Sequence, residues 1–279
     1  MLAISLALIA CLSWGTSGFL AGIKSKIMPV LVLLFFSSMA GLAMFAIGVG
    51  VRGAPLPRDP NLLFAVLGGL VGVGGLYCFY RGLATGAISI VVPISALCVL
   101  LPVAASLLRG EIFQPIQGLG MATAVGGGVL ISLENNSGAE KKRLAAGIFP
   151  AFGAALGFGA FYVVMDLAGS VDPLWAATLS RTSFFLFLLP ALLYKRPSLK
   201  IAFNHLPAVC IIGMLDGIAA FAYTSATTKG LLSLVSVVSS LYPAVSVILA
   251  LLFLKERLRR FQLIGVVLAI IGIALISAG

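Results

Sequence analysis

Few residues in this chain could do chemistry, because charge is scarce. Of 279 residues only 9% are Asp, Glu, Lys or Arg, and the one histidine, His205, opens an apolar run and reads as interfacial. Asp216 is the one carboxylate near the middle of an apolar run. A charge at membrane depth is costly and marks a functional site by default. Asp216 is therefore either a proton-coupling carboxylate or a binder of a substrate amino group, or else half of a structural ion pair. Its counter-charge is Arg181, which by the ~1.5 Å rise per helical residue lies within a few ångströms of the same depth. Trp14, Tyr77, Tyr80, Tyr223 and Tyr242 are rings with polar tips, able to stack on a flat apolar solute and donate a hydrogen bond. Ser95 and Ser239 add hydroxyls, the latter close to Tyr242. Tyr162, Trp175 and Tyr194 fit interfacial belts, and Asp166 and Asp172 flank a turn and read as solvated.

Pro93, Pro102 and Pro243 stand inside apolar runs. Each removes an amide donor and frees the carbonyl four residues back, at Ser89, Cys98 and Ser239. In a bilayer such carbonyls are tolerated only in protein or along a water-filled cavity. The prolines are thus either hinges beside a substrate path or packing kinks relieved by nearby serines. Gly68-xxx-Gly72, Gly126-Gly127-Gly128 and Gly153-xxx-Gly157 suit close helix packing rather than phosphate binding. Cys11, Cys78, Cys98 and Cys210 fall in apolar runs and read as packed free thiols, with no metal spacing. With no paired carboxylates at depth, no catalytic constellation assembles, so neither an enzyme nor a cofactor is expected.

The elements that must position these residues are membrane helices. The chain is 61% hydrophobic with a mean hydropathy of +1.18, which makes it an all-α integral membrane protein. About 20 apolar residues cross a bilayer as a helix, and ten such spans are expected: 2–23, 29–51, 61–80, 87–108, 114–133, 145–166, 174–194, 206–228, 231–254 and 261–277. The first lacks a basic leader region and a cleavage site, so it reads as a span rather than a signal peptide. The net charge of +10 does not mean nucleic acid, because the Lys and Arg sit in short turns. Alternate turns carry them unequally. One side holds thirteen, from Lys24 to Arg260, and the other holds Arg52, Arg58, Arg109 and Lys229. The richer side is expected in the cytoplasm, with both termini outside.

The spans repeat. Gly86-Ala87-Ile88-Ser89 matches Gly230-Leu231-Leu232-Ser233 at an offset of 144 residues, as do Pro29 and Pro173, Trp14-Gly15 and Phe158-Gly159, and Phe79 and Tyr223. Glu111 matches Glu256, Gln117 matches Gln262, and Gly120 matches Gly265 at 145. Two five-helix copies are expected, 1–138 and 139–279, joined by the polar stretch Glu134 to Arg143. An odd number of spans per copy inverts the second against the first, the plan of many secondary transporters with a midplane site.

The stretch SLYPAVSVILALLFLKERLRRFQLIGVVLAIIGIALIS, with Pro243 after a Ser-Leu pair, Glu256 further on and the Gln and Gly opening the last helix, resembles the C-terminal hairpin of the EamA family. That family belongs to the drug/metabolite transporter superfamily, and Leu12-Ser13-Trp14-Gly15 is similar to its first helix. The resemblance covers nearly the whole chain, although Cys98 stands where the second copy has Pro243. It implies a bacterial inner-membrane secondary transporter that exports small metabolites, most often amino acids with aromatic and neutral ones favoured, by alternating access. Its expected partners are a small-molecule substrate and the lipid bilayer, without nucleic acid, and the working unit is a monomer. A broad-specificity drug or cation exporter driven by proton antiport through Asp216 is the alternative.

Overall fold

The computed structural model describes residues 1–279 except 26, 86–90, 92–93, 133–140, 199–204, 255–259 and 279. Pro93, Lys26, Lys200, Glu256 and most of the expected join at Glu134–Arg143 lie outside the described residues. Among the described residues the secondary structure is entirely helical. The helices are α1 (Leu2–Lys24), α2 (Val30–Arg52), α3 (Leu63–Thr85), α4 (Leu100–Leu108), α5 (Pro115–Ser132), α6 (Lys141–Gly169), α7 (Pro173–Lys195), α8 (Leu206–Thr227), α9 (Leu232–Ser239), α10 (Tyr242–Leu254) and α11 (Arg260–Ala278). Short 3-10 turns occupy Pro60–Leu62 and Leu97–Val99.

Among the described residues, six helices are long and apolar enough to cross a membrane, and three shorter apolar ones accompany them: Ile94–Leu108, Leu232–Ser246 and Leu263–Ile276. Within the expected fourth span a 3-10 turn at Leu97–Val99 precedes α4, and the ninth is interrupted between α9 and α10. The break in the ninth falls at Ser240-Leu241, and Pro243 is the second residue of the helix that follows. A first-turn residue has no intrahelical partner for its N–H, so proline opens a new helix there rather than kinking an old one. Pro102 is likewise the third residue of α4, directly after a 3-10 turn. The sequence reading missed Pro150 and Pro190, which sit inside α6 and α7.

Reciprocal close approaches tie the bundle together. A Cβ on Gly15 would lie 2.7 Å from the Tyr242 carbonyl, and one on Gly159 would lie 2.6 Å from the Cys98 carbonyl. Gly15 and Gly159, like Cys98 and Tyr242, are 144 residues apart. Where α5 crosses α11, a Cβ on Gly120 would lie 2.9 Å from the Gly272 carbonyl and one on Gly127 would lie 2.6 Å from the Gly265 carbonyl. Small residues here let backbones meet, as membrane packing requires.

The two ends of the bundle differ. One carries the C-terminal residues of α1 and α7 and the start of α8, where Lys24 Nζ lies 3.4 Å from His205 Nδ1. At the other, Arg52 clamps Asp172 with two hydrogen bonds of 2.8 and 2.5 Å, and Arg109 reaches Asp166 at 2.6 Å. The expectation that both aspartates are solvated is corrected, since Asp172 is only 7% exposed and also caps α7 by accepting from Leu174 N–H and Trp175 N–H at 2.9 and 3.0 Å. Burial pushes the Asp172 carboxyl up, but the Arg52 guanidinium and these two amides outweigh it and hold it below the usual range.

Two predictions follow from these contacts. Gly127→Val overpacks the α5–α11 crossing and should lower stability by about 1–3 kcal/mol, read as a fall in thermal midpoint in detergent. A depressed carboxylate stabilises above its unfolded pKa, and that stability is lost as pH falls through its folded pKa. Asp172→Asn should thus lower the midpoint at pH 7, with the gap to wild type narrowing below about pH 4.

Candidate functional site

A cavity of about 140 Å³ lies inside the bundle, walled by α1, α2, α3, α6, α7, α8 and α10. Trp14 and Ser17 come from the second half of α1, Leu33 and Ser37 from the first half of α2, and Phe79 and Tyr80 from the last turns of α3. These helix directions set the cavity between mid-bundle and the Lys24 end.

Three aromatic residues floor it toward the Arg52 end. Tyr162 and Tyr223 stack at 4.5 Å with 20° between planes, and Trp14 stacks on Tyr162 at 5.6 Å. The Tyr223 hydroxyl lies 3.1 Å from the Tyr162 carbonyl, which accepts from it, and 3.0 Å from Ser236 Oγ. Tyr223 is wholly buried, and these bonds satisfy the phenol that its burial would otherwise strand.

Opposite charges face one another across the wall. Arg181 on α7 pairs with Asp216 on α8, and Trp14 Nε1–H donates to the other carboxylate oxygen at 3.0 Å. The Arg181 guanidinium also lies 5.4 Å from the centroid of the Phe184 ring, a cation–π distance. Side-chain exposure is 8% for Arg181 and 28% for Asp216, so the carboxylate is the more open partner. Arg181 and Asp216, matched in helical depth, form an ion pair. Charges of both signs beside apolar rings can engage a solute that carries both.

The structure brings Trp14, Tyr80, Arg181, Asp216 and Tyr242 together on the cavity wall. Tyr223 stands behind the wall as part of the floor, and Ser95, also buried, hydrogen-bonds Tyr242. Ser239 is buried against α1, where it donates to the Ala7 carbonyl at 3.4 Å. Tyr77 is not on the wall; the Lys195 ammonium lies 5.9 Å from its ring centre. Tyr162, read as interfacial, is 3% exposed and lines the cavity. A belt position needs an exposed ring, and α6 turns this one inward. Phe158 and Phe161 were missed. The repeat offered a signal for Phe158, because it is the counterpart of Trp14.

Comparison with known proteins fits this architecture. A model of the EamA-like transporter family matches residues 1–133 and again 145–278. The chain belongs to the EamA-like transporter family. It is thus a multi-pass membrane protein of the drug/metabolite transporter superfamily. The uncharacterized protein MJ1333.1 of Methanocaldococcus jannaschii is 55% identical over 49 residues, 18% of this EamA chain, which spans only 36% of that relative's length. A solved crystal structure superposes with a TM-score of 0.83 at 21% identity, covering 99% of this chain and 96% of that one. That likeness is one of fold.

Removing one partner of a buried ion pair costs about 3 kcal/mol because the other charge is stranded. Asp216→Asn in this EamA protein should therefore destabilise by that order, and Arg181→Met added to it should recover much of the loss. A double-mutant cycle of thermal midpoints measures both.

Proposed function

We propose that this protein exports neutral amino acids, aromatic ones preferentially, from the cytoplasm across a bacterial inner membrane by alternating access. The observation that carries the reading is the cavity wall: its charged members among the described residues are Arg181 and Asp216, surrounded by aromatic rings. A zwitterion could set its carboxylate toward Arg181 and its ammonium toward Asp216, with its side chain against Phe79, Phe158 and Phe161. A sugar phosphate would call for more cations than one.

Two inverted units, 1–138 and 139–279, rock against one another around this cavity in ten crossings, with the Pro102 and Pro243 breaks as flexing points. The double family match and the reciprocal glycine approaches support that plan. The Lys24 end faces the cytoplasm by the positive-inside rule, which leaves the termini on the other side, and the unit acts as a monomer. A second reading, proton-driven export of organic cations through Asp216, is favoured by the greater exposure of that carboxylate.

The test is uptake into liposomes holding the purified protein, using labelled phenylalanine, a sugar phosphate and tetraphenylphosphonium, with and without a pH gradient. Saturable phenylalanine flux, no sugar-phosphate flux and loss of at least tenfold in Asp216→Asn (~1.4 kcal/mol or more) are expected. Tetraphenylphosphonium flux that needs the gradient, without phenylalanine flux, would establish the second reading instead.

A further inference from the structure

We infer that Glu111 is a positioning residue of the transport cycle, latching shut the mouth at the Arg52 end by holding the start of α9 from the other half of the chain. The inference rests on the transport reading above. Among the described residues, the polar links at this end between a residue before 138 and one after it include Arg52 to Asp172, Arg109 to Asp166, and Glu111 to α9. At the Lys24 end the described links include Lys24 to His205 and the Lys195 ammonium over the Tyr77 ring. The cavity lies on the Lys24 side of the aromatic floor, so the bundle is closed at the Arg52 end.

Glu111 makes the most specific of the three links. Its Oε1 accepts from Leu232 N–H at 3.0 Å, and its Oε2 accepts from Ser233 N–H at 3.3 Å and from the Ser233 hydroxyl at 3.1 Å. First-turn amides of a helix lack intrahelical partners and favour negative charge. The α9 helix has no cap of its own, since its N-cap residue is Leu231. The missing cap comes instead from the α4–α5 turn. Gly110, at φ 78°, supplies the left-handed step of that turn, and Glu111 N–H bonds back to the Ser106 carbonyl at 3.0 Å.

What α9 carries explains the consequence. Ser236 on it bonds Tyr223 of the floor, and the break after Ser240 leads directly to Tyr242 on the cavity wall. Opening this mouth separates the α4–α5 turn from α9, and the α9 amides lose their acceptor at that moment. Glu111 therefore favours the state closed at the Arg52 end.

Cys11 reports the opening. It lies one turn from Trp14 toward the Arg52 end and is only 4% exposed. In membrane vesicles of the full chain, with the other three cysteines changed to serine, an impermeant methanethiosulfonate is applied from each face in turn. Glu111→Gln should raise Cys11 labelling from the Arg52 face about tenfold, and Ser233→Ala about threefold, with no rise from the Lys24 face. Unchanged labelling, or an equal rise from both faces, would overturn the latch. If Glu111→Gln does not fold, Ser233→Ala, which removes one of three hydrogen bonds, decides alone. The readout needs no substrate, so absent phenylalanine flux would sink the amino-acid reading without touching the latch. Normal flux with unmoved Cys11 labelling would sink only the latch.

Discussion

Inside an apolar bundle, Arg181 pairs with Asp216, and Trp14 holds the carboxylate's second oxygen. Three helices, α7, α8 and α1, meet in that contact. In a bilayer no water is available to solvate a stray guanidinium, so the helices must stay in register for the pair to exist. The aromatic residues follow from the same constraint. Trp14 offers its N–H to Asp216 and its face to Tyr162, and Tyr162 offers its face to Tyr223, whose phenol is satisfied by Ser236. Charge and floor are one connected structure, and its edge is the cavity.

Around this centre, hydroxyls and glycines do what apolar burial cannot do between helices already surrounded by lipid. Ser17 donates to the Ile212 carbonyl, Ser239 to Ala7 and Ser246 to Gly15. These bonds stitch α1 to α8, α9 and α10. At Gly120, Gly127, Gly157 and Gly213, backbones come within van der Waals contact and dispersion supplies the attraction. The packing is thus close but not welded by hydrophobic burial, a condition that suits a molecule whose parts must slide.

Two ion pairs and a borrowed helix cap sit at the Arg52 end, and the open volume lies toward the Lys24 end. Asp172 joins both kinds of contact, capping α7 while it clamps Arg52.

Hydropathy and periodicity alone determined the membrane class, the helical architecture, the duplication and the depth match of Arg181 with Asp216, because bilayer thickness and the rise of a helix turn sequence position directly into depth. The rotational setting of each helix was decided only by tertiary packing. Composition cannot tell which way Tyr162 faces when nearly every neighbour is apolar, and so a buried floor residue looks like a belt residue. Tyr77 and Tyr80 are nearly adjacent on α3, yet only Tyr80 reaches the cavity, since residues three apart diverge by about 60° around a helix. Glu111 was legible as a repeated residue, but its partners lie 121 and 122 positions away. A contact of that range exists only once the two halves have packed.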